Sequence, residues 1–226
     1  MRILQIGPLP PEAGGSKRGG VATHVWGLAL HLTEKNHNVA ILADDYSSKG
    51  NWPIMKEGVS IYGTKQKVKV YQRIGVLNPT IWSKIIRLKK HFGSLMDLRG
   101  VIKNLLLYQQ VINDFKPEII HVHHLETRFP FTYYSSDRKI PIVSTIHSST
   151  AIEFNESSRR ELIRNLVQKN LILANNLIFV SNYVKQRFES ILPGIYNECY
   201  SWVVPNPVDS SMYYPISKKA SREQLG

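Results

Sequence analysis

Three short stretches hold residues whose types and spacing can do chemistry. The first is "GGSKRGGV", Gly14 to Val21, with four glycines and two cations. The others are "HVHH", His121 to His124, and "TIHSST", Thr145 to Thr150, in which apolar runs end in imidazole and hydroxyl groups. Glycine lets a backbone approach another molecule unobstructed. A helix that begins behind such a loop presents unpaired N–H groups and the positive end of its dipole to an anion. The glycines match neither the dinucleotide pattern GxGxxG nor the P-loop, which needs Lys-Ser/Thr after its last glycine. On the residues alone, the loop is either a phosphate cradle or a loose connector. In a strand, His121 and His123 share one face and His124 points to the other. Three neighbouring histidines raise the question of zinc, but no fourth ligand has diagnostic spacing.

The elements that must position these residues are legible from periodicity. "RILQIG", Arg2 to Gly7, is a short apolar run before the glycine loop. Val21, Val25, Leu28 and Leu32 then step at helical spacing. "NHNVAILA", Asn36 to Ala43, reads as a turn and a second strand, with Asn36 able to take the left-handed conformation that closes a helix. Strand, loop, helix and strand within 43 residues make a βαβ unit. "KPEIIHVHH" (Lys116 to His124) and "KIPIVSTIHSST" (Lys139 to Thr150) are further strands ending in polar groups. "NNLIFVSNYVKQRFESIL" (Asn175 to Leu192) reads as strand, Ser181 as N-cap, then helix. "SWVVPNPVD" (Ser201 to Asp209) is a last strand broken by prolines. Continuous apolar strands alternating with helices predict an α/β fold with a doubly wound, Rossmann-like parallel sheet covered on both faces. In such a sheet, ligands bind beyond the carboxyl ends of the strands, where the glycine loop, "HVHH" and "TIHSST" should meet.

The totals restrict the partners. The chain has 226 residues, 29 Lys and Arg against 17 Asp and Glu, and one cysteine, Cys199. A net charge of +12 suits polyanionic partners: phosphorylated substrates, an anionic membrane surface or nucleic acid. The single cysteine excludes an intrachain disulfide and fits a reducing, cytoplasmic compartment. No apolar run is long enough for a transmembrane helix, and none reads as a signal peptide. Between Lys65 and Asn113, Val68 and Val70 alternate with lysines as in a half-exposed strand. Ile81, Trp82, Ile85, Ile86 and Leu88 then interleave with Lys84, Arg87, Lys89 and Lys90. That is a basic amphipathic helix, packed on the sheet or lying at an anionic membrane surface.

The motifs "GPLPPEAGG…GGVATHVWGLALHL", "NHNVAIL", "PEIIHVHH", "PIVSTIHSST", "LIFVSNYVKQRF" and "VVPNPVD…YYP" occur in an order that resembles retaining GT-B-type glycosyltransferases of the family four group. The resemblance spans nearly the whole chain, as the N-terminal, acceptor-side half of such an enzyme. It implies one half of a GT-B fold over residues 1–205, with residues 206–226 as hinge and start of a C-terminal donor-binding domain that lies beyond this chain. It also implies transfer of a hexose from a nucleotide-sugar to a glycan or lipid-linked acceptor with retention, and a chain inactive by itself. In that family Gly19 and Gly20 would offer amides to the donor diphosphate. His147 would stand near the transferred sugar and its phosphate as the catalytic imidazole. Gly15, His24, His121, His123, Ser148 and Ser149 would line the acceptor or sugar side.

Other readings of the same residues stay open. Lys17 and Arg18 assist the phosphate or are simply solvated, and Ser148, Ser149 and Thr150 bind the acceptor or cap the next helix. Asn206 and Asp209 match the family's interdomain turn, except that Pro207 replaces its glycine and stiffens the hinge. The family needs no bound metal or cofactor, so neither is expected. Retention by same-face attack needs no carboxylate pair, and none is evident. The alternatives are a related GT-B enzyme, an epimerase or phosphorylase, or a basic nucleic-acid-binding domain. The last is disfavoured because the cations are not interleaved with stacking aromatics, so no nucleic acid is expected.

Overall fold

The computed structural model describes residues 1–43, 46, 53–63, 82–83, 86, 98–123, 140–148, 176–191, 200–208 and 214–225. Eight strands form one sheet: β1 Arg2–Gly7, β2 Asn38–Ala43, β3 Ile54–Lys56, β4 Val59–Gly63, β5 Ile119–Val122, β6 Ile142–Ile146, β7 Asn176–Phe179 and β8 Tyr200–Val203. Among the described residues, the helices with stated bounds are, in chain order, α1 Gly20–Glu34, α2 Leu98–Phe115, α3 Asn182–Ile191 and α4 Lys218–Leu225. The sheet order is β3-β4-β2-β1-β5-β6-β7-β8. Every pairing is parallel except that of the edge strand β3 with β4. The chain winds outward from β1 to β2 and β4, then returns to β5 on the other side. The topological switch therefore lies between β1 and β5, whose register sets Gln5 beside His121 and Ile6 beside Val122.

The doubly wound α/β expectation is met, and the burial of the strands explains why they were legible. Leu4, Ile6, Ala40, Leu42, Ile120 and Val122 face α2, whose Leu105, Tyr108, Val111, Ile112 and Phe115 lie in the same core. Val184 and Phe188 of α3 join it, with the Phe188 ring edge-on to Phe179 at 5.2 Å. On the opposite face α1 sets Val25, Trp26 and Ala29 against Val39, Ile41, Val59 and Ile61. Strands covered on both faces read as nearly continuous apolar runs, as these do apart from polar residues such as Gln5 in β1 and His121 in β5. Ser181 caps α3 through the Val184 amide at 3.2 Å, as read from the sequence. Asn36 does close α1 in the left-handed region, at φ 61°.

Several details differ from the sequence reading. The buried stripe of α1 is Ala22, Val25, Trp26 and Ala29, with Val21 and Leu32 only partly buried. Small alanines let the helix axis approach the sheet. The β3–β4 hairpin was not anticipated: its two-residue turn is Glu57-Gly58, with φ of 50° and 80°, the geometry of a type I′ turn. Helix α2 was not singled out either. The last strand ends at Val203, and residues 204–208 are exposed. Beyond them α4 is capped by Ser217, whose Oγ accepts from the Ala220 amide at 3.1 Å. In the basic stretch, Trp82, Ser83 and Ile86 are helical, with Trp82 and Ile86 exposed. Lys84, Arg87, Lys89, Lys90, the Val68–Val70 strand and Cys199 lie outside the described residues. Among the described residues, no helix is long and apolar enough to cross a membrane.

The seat of α1 depends on Gly7. A Cβ at Gly7 would stand 2.9 Å from Val25 Cγ2 and 3.3 Å from His123 Cβ, whereas one at Gly27, on the exposed side of α1, meets nothing. Gly7→Ala should therefore lower stability by about 1–3 kcal/mol through overpacking. Gly27→Ala should raise it by about 0.5–1 kcal/mol, because alanine costs less backbone entropy in a helix. Urea unfolding midpoints of the two variants check both signs.

Candidate functional site

The glycine loop divides into a packed half and an open half. Pro11–Ala13 form a 3-10 turn that Gly14 closes at φ 89°. The turn is held by Ala13 N–H to Pro10 O at 3.0 Å, Gly15 N–H to Pro10 O at 3.0 Å and Lys17 N–H to Leu9 O at 3.3 Å. Lys56 Nζ also donates to the Glu12 carbonyl. A Cβ at Gly14 would stand 2.8 Å from the Tyr46 ring, and one at Gly15 would stand 2.0 Å from the Leu9 carbonyl oxygen. These two glycines are required by the loop's own packing. Gly19 and Gly20 are different: both are exposed, and a Cβ at either meets nothing within 4 Å. Gly19 is the N-cap of α1 at φ 143° and supplies no side-chain cap. The first-turn amides of the helix have no intrahelical acceptor, and Gly20, which leads them, is exposed. Lys17 and Arg18 are exposed beside them.

One helical turn further on, His24 enters a cluster of imidazoles. Its ring centroid lies 5.0 Å from that of His147 and 5.5 Å from that of His123, both edge-to-face. His123 and His147 are joined by a 3.2 Å contact between Nδ1 and Nε2. The His121 ring lies 4.1 Å from that of His123, and its Nε2 is 2.7 Å from Thr145 Oγ1. The cluster is assembled from the first turns of α1, from β5 and the residue just beyond it, and from the residue after β6. It therefore sits at the carboxyl edge beside the switch point. His24, His123 and His147 each offer a nitrogen, and these atoms lie within 4.8 Å of one another.

The surroundings favour neutral rings. Burial first, and then the neighbouring His24 and His147, bring His121 down to about 4, and burial also lowers His24. A neutral imidazole is one donor and one acceptor, which suits hydroxyl and phosphate-oxygen partners. His123 is buried, while His24, His121 and His147 keep partial access. Of the other residues singled out, Ser148 is exposed at the end of β6. Ser149, Thr150 and His124 lie outside the described residues, as does Asp209, whereas Asn206 is exposed after β8.

Two residues of the site were not anticipated. Thr145 holds His121, and its signal was the same strand-end polarity that marked His147. Gln5 is fully buried on β1, in register with His121, and neither of its amide atoms has a hydrogen-bond partner. A glutamine inside the apolar run "RILQIG" was the visible clue.

Because the folded value of His121 lies below the ordinary 6.5, the unfolded chain takes up the proton first as pH falls. The stability this group contributes is complete above pH 6.5 and is lost as pH drops toward 4. In EDTA-containing buffer, denaturant unfolding should show a fall of at most about 3 kcal/mol across that window. His121→Gln should flatten it.

Glycosyltransferase Family 4 matches residues 18–211. Among curated protein sequences, none matches the chain. Among solved structures, sucrose-phosphate synthase from Thermosynechococcus elongatus superposes with a TM-score of 0.61 at 11% identity, over 100% of this chain and 52% of that one. A glycosyltransferase from Rickettsia africae gives 0.55 at 14%, over 99% and 48%. The trehalose-6-phosphate structure from E. coli bound with UDP-2-fluoro glucose gives 0.52 at 13%, over 100% and 54%. The chain thus spans about half the length of these structures, consistent with one half of a GT-B fold, and its likeness to them is one of fold. With the match extending from the glycine loop to beyond β8, the chain belongs to Glycosyltransferase Family 4.

Proposed function

We propose that this chain is the acceptor-side half of a retaining glycosyltransferase that moves a hexose from a nucleotide-sugar to a glycan or lipid-linked acceptor. The observation that carries the reading is the juxtaposition at the switch point. The bare amide end of α1 at Gly19 and Gly20 lies one helical turn, about 6 Å, from a cluster of imidazoles on the strand ends. Family membership supports transfer chemistry, and one structural neighbour bound UDP-2-fluoro glucose.

In this reading the Gly19 and Gly20 amides stabilise the charge that grows on the donor diphosphate as the bond from the sugar anomeric carbon to the phosphate oxygen breaks. The acceptor hydroxyl attacks the same carbon from the same face, and its proton passes to the departing phosphate. His147 donates to a sugar hydroxyl or phosphate oxygen beside the reacting carbon. His24, His121 and His123 flank it on the sugar and acceptor side together with Ser148 and Ser149, while Gly15 shapes the loop. Residues 206–226 are assigned to the hinge and the start of a C-terminal donor-binding domain. The donor's nucleotide is assigned to a second domain of the kind the family carries, so that residues 1–226 alone transfer no sugar.

The test is sugar transfer by the full-length protein with a panel of UDP-, GDP- and ADP-sugars, read as released nucleotide. Gly20→Val adds a side chain where nothing in the fold obstructs it. It should therefore leave the urea midpoint unchanged and lower kcat/KM about 100-fold or more. His147→Ala should lower it to a similar extent. Full activity in both variants would remove these residues from the site. A second expectation follows from the exposed Trp82 and Ile86 and the cations around them. The protein should sediment with vesicles rich in phosphatidylglycerol, less so with added salt, and the joint charge reversal of Lys84, Arg87, Lys89 and Lys90 should abolish it.

A further inference from the structure

The run His121 to His124 offers no fourth ligand at diagnostic spacing, and the family resemblance implies no bound metal. The fold assembles a different set, drawn from three separate elements. We propose that His24, His123 and His147 form a binding site for a divalent transition-metal ion of the zinc class. The proposal concerns ion binding and does not depend on the transferase reading.

Three geometric facts carry it. The candidate ligand nitrogens all lie within 4.8 Å of one another. The His123 Nδ1 to His147 Nε2 separation is 3.2 Å. Two imidazoles sharing a tetrahedral zinc, with Zn–N of about 2.0–2.1 Å, place their nitrogens about 3.4 Å apart. That pair is already at the spacing an ion requires. The longest separation, at most 4.8 Å, need shorten by no more than about 1.4 Å to reach the same value, and His24, half-buried on the first turns of α1, can supply it by rotation of its side chain. The supports are rigid: His123 follows β5 with its amide donating to Ile6 O at 2.9 Å, and His147 directly follows β6.

The donor set also selects the ion. Three imidazole nitrogens suit zinc, copper, nickel and cobalt, whereas magnesium and calcium demand oxygen. Binding turns the ring lone pairs of His123 and His147 from each other toward the ion, so the proton between them moves to the remote nitrogen of one ring. Three protein ligands leave a fourth position for water or an anion oxygen. His24 and His147 keep partial solvent access, which gives the ion an entry path.

The experiment uses the full-length protein without an oligohistidine tag, stripped with chelator and titrated with Zn2+ by calorimetry and with Co2+ by visible absorption. The expected result is one equivalent bound per chain, intense absorption of the tetrahedral Co2+ type, and no heat with Mg2+. His24→Gln, His123→Gln and His147→Gln should each weaken binding about tenfold or more, while His31→Gln, on the exposed side of α1, should leave it unchanged. Absence of a stoichiometric site overturns the proposal, as does affinity retained in all three variants or lost equally in His31→Gln. Should the variants fail to fold, the wild-type Co2+ spectrum decides. A weak octahedral spectrum then counts against the site, and an intense tetrahedral one supports it.

Discussion

Helix α1 lies against the end of β1 because Gly7 carries no side chain. Even a methyl group there would press on Val25 and on the Cβ of His123. That close approach fixes the rotation of α1, with Ala22, Val25, Trp26 and Ala29 against the sheet. The rotation in turn brings His24 over the strand ends toward His123 and His147. It also sets the amide end of the helix at the carboxyl edge of the sheet, beside the topological switch between β1 and β5. The dipole of α1, the imidazole cluster and the sheet edge are thus placed by one packing contact. Interiors at crystal-like density transmit such a contact with little give.

The glycine loop shows how one residue type serves two ends. Gly14 and Gly15 are spent on the loop itself, where the Tyr46 ring and the Leu9 carbonyl occupy the space of any side chain. The hydrogen bonds through Lys17 hold that half firmly, so the free half begins at a defined point. Gly19 and Gly20 answer to no such packing, and a loop this long is uneconomical as a connector. Their openness leaves room for the donor diphosphate that the proposed function places there. The histidines behind them, of which His24 and His121 are held toward the neutral form by burial, add hydrogen-bonding capacity, and the helix end provides the electropositive element.

The strands β1, β2, β5, β6 and β7 could be read from the sequence because burial on both faces forces continuous apolar runs. Helix caps such as Ser181, and the left-handed Asn36, were legible because their chemistry is local. The β3–β4 hairpin was not, since its edge strand is three residues long and its Glu57-Gly58 turn lacks the usual Asn or Asp. At the site, His121, His123 and His147 were visible as polar endings of apolar strands. His24 was grouped with them through the family resemblance and not through any local spacing, because its position depends on the rotation of α1. Gln5 is the converse case, a polar residue written plainly within a strand whose meaning appears only once His121 is seen beside it.

In the proposed reading, the donor binds between the amide end of α1 at Gly19 and Gly20 and the imidazole cluster. That placement is tested most directly by following the ring nitrogen resonances of the histidines in the full-length protein during titration with a nucleotide-sugar. The account predicts saturable shifts of His24 and His147 at a common affinity, with His31 unmoved and both shifts abolished by Gly20→Val. Saturable donor binding that leaves the resonances of His24 and His147 in place would contradict it.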